Sequence, residues 1–430
     1  MNNNYNSGVF ILDLLLVCFS AIVLVINTNG SLNQLMATMI IIINLIMTYR
    51  SRRNWYTLII SLVVLYYNYS ICMAEYISVI DNTLFTSYAG SQIADSGIKI
   101  LLLFSILLYI VMIAVNRQDF SQHQSCIVID NNKDNNLIVL GLSIILGLIW
   151  LFGFGRPEHI GDRGSPSTYF EYSIILIILG FYYSGSSKYR YALFTIISIA
   201  YVILNFMYGG RATGIQIIIC FLMCTCIDKI NRIWLIVGGL AVFFLMTIIG
   251  SFRGSWSLNV ESVTSTWDSL IDSKFVNDTA FSAYHTSMTF LDYLSYCDWT
   301  NRLNLFFRFL LYVFLGGSVA NSNLSLITRK FFIHYFGGVL PYYFYFYLGF
   351  IGIVIFVVYF YFILSSIVKR RHTSSFWKCA GIYIAATSFR WYIYSPAQIT
   401  RGLFLFTVAF YALKLLDDLM NDKTMERRKQ

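Results

Sequence analysis

Charge is scarce in this sequence. Only 12% of its 430 residues are Asp, Glu, Lys or Arg, against 57% hydrophobic residues, and the mean hydropathy is +0.65. A soluble chain of this length has no way to bury so much apolar surface. No polar stretch interleaves basic residues with aromatics, so the formal charge of +9 does not point to nucleic acid. Metal-ligand spacing is missing: there is no HExxH and no CxxC. The cysteines of "CFLMCTC" (Cys220, Cys224, Cys226) stand in an apolar run without a nearby histidine and read as small buried hydrophobes. Of the eight cysteines only Cys297 falls in an expected external loop, which leaves it no internal disulfide partner. No internal repeat supports a transporter built from two inverted halves. The first residues carry no positive n-region and no small-residue cleavage site, so they are expected to form a spanning helix and not a removable signal.

What the chain has instead is apolar runs. They are continuous, not alternating, and backbone groups in hydrocarbon must be satisfied within each segment, so helices are expected. Twelve spans are expected, at about 8–27, 34–48, 55–73, 98–115, 137–154, 168–184, 190–208, 213–227, 233–250, 343–367, 376–391 and 401–417. The fold class is then an all-α polytopic membrane protein, a single integral membrane domain over 1–430. Basic clusters "YRSRRN", "GSSKYR", "DKINR", "VKRRHTSSFWK" and "DKTMERRKQ" fall at alternate turns, which makes those turns and both termini cytoplasmic. A large external loop is expected at 251–342, between the ninth and tenth spans. Its second half, "LFFRFLLYVFLGG" and "FFIHYFGGVL", is apolar but short, and either lies along the interface, re-enters or crosses.

The external side would hold nine arginines (Arg156, Arg163, Arg211, Arg253, Arg302, Arg308, Arg329, Arg390, Arg401) but only three lysines (Lys99, Lys274, Lys330). Orientation needs charge alone. An arginine excess suggests use of the planar five-donor fork. Arg211 stands in "NFMYGGRATGIQIIIC", at the start of an apolar run, where the free N–H groups of a helix end favour an anion. Two readings stand: an anion-binding arginine, or a snorkelling one beside glycines that make a tight turn. "GGRATG" lacks the nucleotide-binding pattern GxxxxGK[ST]. Arg253 in "GSFRGSW" has similar surroundings. "FGFGRPEHIGDRGSPSTYFEYS" packs Arg156, Glu158, His159, Asp162 and Arg163 closely, giving two arginines for anions and His159 with the acids Glu158 and Asp162 as possible proton carriers, Glu158 and His159 being the candidate bases. Arg390 and Arg401 bracket the turn "SFRWYIYSPAQITRG". His285 is a further candidate base, although His285 and His334 each read more simply as structural histidines. Asp13 reads as a helix-packing residue.

Together these features support a phosphate clamp: arginines make charge-assisted, bidentate bonds to phosphate, and fixed cations stabilise a diphosphate leaving group without a metal. No metal or other cofactor is expected. The chain resembles bacterial O-antigen polymerases of the Wzy type (oligosaccharide repeat-unit polymerases). The likeness rests on the plan of about twelve spans with a large late external loop, on "YGGRATG" at 208–214 and on "SFRG" at 251–254. None of the external arginines has a glycine eleven positions on, so the Arg-x10-Gly pattern described in external loops of some members is absent from them. The resemblance implies a glycosyltransferase of lipopolysaccharide biosynthesis in the bacterial inner membrane, active on its periplasmic face. A glycan would leave undecaprenyl diphosphate and join the non-reducing end of another lipid-linked unit. Arg211 and Arg253 would bind the diphosphate, with Arg156, Arg163, Arg390 and Arg401 as further candidates by position. A chain-length regulator protein is implied as partner, beside membrane lipid. The alternatives are an O-antigen ligase acting on lipid A core and, from another class, a lipid-linked oligosaccharide flippase.

Overall fold

A computed structural model describes residues 7–27, 31–73, 88, 91–117, 133–159, 164–231, 238, 276, 278–335 and 337–427. In chain order the first elements are α1 (Ser7–Ile26), α2 (Asn33–Ser51), α3 (Trp55–Met73), α4 (Gln92–Arg117) and α5 (Asn136–Phe152). A small hairpin follows, β1 (Phe154–Gly155) and β2 (Ser165–Pro166), paired antiparallel. Then come α6 (Thr168–Tyr183), α7 (Lys188–Met207), α8 (Arg211–Thr225), α9 (Asp278–Tyr293), α10 (Trp299–Leu315) and α11 (Leu324–Thr328). The chain closes with α12 (Leu340–Arg370), α13 (Ser375–Ala386), α14 (Ser388–Ile393) and α15 (Ala397–Arg427). Among the described residues six helices are long and apolar enough to cross a membrane: α2, α3, α4, α7, α12 and the part of α15 up to Asn421. The protein is all-α and membrane-embedded. Every expected span except 233–250 falls on described helix, with 376–391 divided between α13 and α14, and 233–250 lies outside the described residues apart from Gly238.

Two compact units form. The first takes Met1–Asp119, Phe275–Ser365 and Trp391–Ala397. In it α2 packs on α3 and α4, α1 on α4 and α2, and α9 on α3 and α4. Its core holds polar links between apolar faces. Tyr392 donates to Asn68 Oδ1 at 2.5 Å, between the rings of Tyr67 and Phe104. Asp13 accepts from Arg50 at 2.9 Å and from Tyr109 Oη at 2.6 Å, the packing role expected of it. α12 is broken at Gly349, whose φ of +64° leaves the helical region at little cost only for glycine. Such a break frees carbonyls one turn earlier. Arg302 takes them, with Nε 2.5 Å from the Phe346 carbonyl and Nη2 3.2 Å from that of Tyr345.

The second unit takes Phe120–Lys274, Ser366–Arg390 and Gln398–Gln430. Here α5 packs on α6 and α7, α7 on α8, and α13 on both α6 and α8. Side-chain caps start α5 and α6: Asn135 accepts from the N–H groups of Leu137 and Ile138, and Ser167 from that of Phe170. A single span over 376–391 was expected; the helix instead stops at Ala386 and restarts as α14. The Thr387 hydroxyl bonds back to the Tyr383 carbonyl at 2.7 Å, and the Thr387 carbonyl accepts from Gln216 Nε2 at 3.3 Å. The Thr387 N–H still bonds to the Tyr383 carbonyl at 3.0 Å, so these side-chain contacts mark the junction where the helix ends. In the 251–342 region, expected to be partly helical or re-entrant, the described residues form α9, α10 and α11.

Candidate functional site

Connectivity brings one set of helix ends together in the second unit. The hairpin β1–β2 joins the end of α5 to the start of α6, and residues 208–210 join α7 to α8. The turn at 208–210 is tight. Gly209 has φ +70°, and the Gly210 N–H returns to the Asn205 carbonyl at 2.7 Å. The glycines of "YGGRATG" therefore make the turn, and Arg211 becomes the first residue of α8. The hairpin docks on the same turn: the Gly164 N–H donates to the Tyr208 carbonyl at 3.1 Å, and the Phe154 and Tyr208 rings lie 5.8 Å apart.

The break at Thr387 delivers Arg390 to this end. Its Nη2 pairs with Glu171 on the first turn of α6, and its Nη1 lies 3.5 Å from the Thr213 hydroxyl on the first turn of α8. One guanidinium thus touches the starts of two helices. Both members of the ion pair are partly exposed, at 16% for Arg390 and 22% for Glu171. Arg211 and Arg401 are half-buried, Arg401 close to the start of α15. That start is at the same end, because Tyr383, near the end of α13, donates to the Gln398 carbonyl at 3.0 Å.

Arg156 is held differently. Its Nη2 donates to the Trp150 carbonyl at 3.0 Å, and its guanidinium sits 4.4 Å over the Trp150 ring, at the end of α5. Glu158 and His159 are exposed on the hairpin. Arg163 and Arg253 lie outside the described residues. The structure therefore brings Arg211, Arg390 and the Glu158–His159 hairpin to one end of one unit. Positive charge exceeds negative there, with four described arginines against Glu158 and Glu171. Such an excess of positive charge favours an approaching anion.

The opposite end of this unit is also cationic but self-paired. Lys133 reaches Asp417 at 2.8 Å, and Arg190 pairs with Asp134. The Lys133 ammonium is held above its ordinary range by that Asp417 contact, and Asp134 below the usual carboxylate range by Arg190.

His285 belongs to the first unit. It is buried on α9, with the Tyr88 ring 5.4 Å away, and Tyr88 donates to Asp292 Oδ2 at 3.0 Å. Burial, with the charge of nearby His334 second, pushes its pKa from 6.5 to about 4. An imidazole so depressed is neutral at pH 7 and a weak proton acceptor. His334 is also buried. One ring nitrogen faces the Tyr335 carbonyl and the other the Thr328 hydroxyl at 2.9 Å, which fixes the neutral ring in place. Both histidines act as packing residues here.

Of the expected external arginines, Arg302 and Arg308 also spend their forks on the protein, Arg308 on Asn304 and the Ala320 carbonyl. Glu171, Thr213 and Gln216 carry the arrangement around Arg390 but stood out from no motif. An acid on a first helical turn is ordinary helix electrostatics, which hides Glu171. No protein-family model, no curated protein and no solved structure matches this chain.

Proposed function

We propose that the chain is a polyprenyl-diphosphate-dependent glycosyltransferase that polymerises lipid-linked O-antigen repeat units on the periplasmic face of a bacterial inner membrane. One observation carries the reading: Arg211, Arg390 with Thr213, and the hairpin of Glu158 and His159 meet at one end of the second unit, whereas Lys188, Arg190, Lys229 and Lys378 belong to the other. The lysine-bearing end fits a cytoplasmic surface, which leaves the arginine end facing the periplasm. Both termini are then cytoplasmic, and 251–342 is largely periplasmic around a bundle of about twelve spans.

In the reaction the bond between the donor sugar's anomeric carbon and the diphosphate oxygen breaks. A hydroxyl oxygen on the non-reducing sugar of the acceptor unit forms the new bond. Undecaprenyl diphosphate leaves with the electron pair, and Arg211 and Arg390 stabilise the charge that gathers on it. Glu158 or His159 accepts the hydroxyl proton. Arg401, Arg156 and, by sequence position, Arg163 and Arg253 supply further positive charge around the carrier.

The glycan ladder of cells with the gene deleted, and of cells carrying Arg211→Ala, tests this. Lipid A core capped by a single repeat unit in both is the expected result. Bare core with lipid-linked polymer accumulating would make the protein a ligase. Bare core with single units held on the cytoplasmic face would make it a flippase and remove the role given to the arginines.

A further inference from the structure

Residues 299–332 of the first unit carry an apolar surface that no span explains. α10 is 17 residues long and is not among the helices apolar enough to cross. Asp298 starts it, accepting from the Asn301 N–H at 2.9 Å. Phe309 and Val313 are buried, and Arg302 reaches α12 through the carbonyls at its break. A separate stripe is exposed: Phe307, Leu310, Leu311, Phe314 and Leu315, at 59, 38, 51, 62 and 62%. Their spacing, with steps of three and four, makes one continuous apolar face.

The chain then doubles back. α10 ends at Gly316, with φ +71°, and Arg308 Nη1 meets the Ala320 carbonyl at 3.1 Å. Asn323 and Leu324 line a small crevice with Phe309 and Tyr312. Phe331 stacks 5.1 Å from Tyr293, and Phe332 lies 6.2 Å from Tyr296, both partners preceding α10. So 299–332 is a hairpin that returns to its origin. Its return limb is polar: Ser318, Asn321 and Asn323 are exposed. Irregular backbone and bare amides do not sit against hydrocarbon, so an upright hairpin with this tip in the bilayer is disfavoured. Lying flat puts the stripe in lipid and the return limb in water. Charge indicates which lipid surface: Arg329 and Lys330 are exposed and Arg308 is half-buried, and no acidic residue occurs from Trp299 to Leu340.

We infer that 299–332 is an in-plane hairpin whose Phe307–Leu315 stripe docks into the headgroup–acyl boundary of the bilayer that the spans cross, among anionic phospholipids. It adds no crossing, and its two ends, near Tyr296 and Phe332, share one side of the membrane.

The test uses the full chain in sealed vesicles of phosphatidylethanolamine and phosphatidylglycerol. Asn301→Cys, Leu311→Cys, Phe314→Cys and Ser318→Cys each change an exposed side chain, and the parent chain sets the background of native thiols. Asn301→Cys and Ser318→Cys are expected to react with an impermeant maleimide from the same side. A polarity-sensitive dye at Leu311→Cys or Phe314→Cys should shift to the blue and be quenched more by spin labels near the headgroup than by labels deep in the chains. That quenching should weaken when phosphatidylglycerol is left out, and in the triple variant Arg308→Gln, Arg329→Gln, Lys330→Gln. Labelling of 301 and 318 from opposite sides would make α10 a crossing helix and overturn the proposal. Dyes on the stripe that no lipid quenches would overturn it too, because protein or water would then cover the stripe. Quenching indifferent to lipid charge would remove the anionic partner.

Discussion

Arg390→Lys separates a clamp from a brace. In the structure one guanidinium pairs with Glu171 and approaches the Thr213 hydroxyl at 3.5 Å. Lysine keeps the charge, and its ammonium can still meet Glu171, but it cannot hold both partners or offer two parallel donors to a phosphate. At 16% and 22% exposure the ion pair is screened, so weakening it costs the fold about 1 kcal/mol or less. Protein abundance should therefore hardly change. Removing one preorganised donor from a developing anion costs far more, about 3 kcal/mol, or roughly a hundredfold in rate. The assay is polymer formed from purified lipid-linked repeat units in vesicles, normalised to the amount of protein in the membrane. Glu171→Gln is the companion: it removes the ion pair but keeps an acceptor, and it should slow the reaction less than Arg390→Lys. If Arg390→Lys polymerises within about threefold of the parent at equal abundance, well under 1 kcal/mol in barrier, the bidentate clamp is refuted and Arg390 is a brace between helices.

Other measurements bear on separate parts of the molecule. A Cβ on Gly402 would overlap the Tyr383 hydroxyl, which is buried and donates to the Gln398 carbonyl, so Gly402→Ala should lower thermal stability in detergent by about 1–3 kcal/mol. Acid should destabilise the first unit. Between pH 6.5 and about 4 the unfolded chain holds a proton at His285 that the native state lacks, so stability falls as pH falls, whereas above 6.5 the residue contributes nothing. At about 1.4 kcal/mol per pH unit the loss approaches about 3 kcal/mol by pH 4, and His285→Gln should flatten that slope in detergent melts. Polymer synthesis should survive EDTA, because arginines supply the positive charge at the diphosphate; a loss restored only by Mg²⁺ or Mn²⁺ would overturn that role.

Helix positions were legible because each span states its own case: a continuous apolar run needs no partner to be read. α9 escaped for the opposite reason. "DTAFSAYHTSMTFLDY" is polar by composition, but its hydroxyls bond back along the helix, as Thr286 does to the Ser282 carbonyl and Ser287 to that of Ala283. Breaks and pairings depended on remote residues. The stop after Ala386 involves Gln216, 171 positions earlier in the chain, and Glu171 meets Arg390 across 219 positions. The arginine excess was legible as a count but not as a division of labour. Arg302 ties helix carbonyls across the break in α12, and Arg156 covers a tryptophan, leaving Arg211, Arg390 and Arg401 near helix starts of the second unit.

The Asp13–Arg50 pair has a consequence for biosynthesis. Asp13 lies in the first helix and Arg50 near the end of the second, so both leave the ribosome early, 37 positions apart. Presented singly to the insertion machinery, a charge within an apolar helix, as Asp13 is, would cost up to about 3 kcal/mol, whereas Arg50 stands in the last turn of α2. Inserted together as a helical hairpin, they meet as a neutralised couple. Tyr109, 96 positions after Asp13, arrives later and adds its hydroxyl to a carboxylate already matched. Exchanging the two residues, with arginine at 13 and aspartate at 50, keeps the couple but exchanges which helix carries which charge. The same contact that packs the mature helices thus matches two charges that leave the ribosome one after the other.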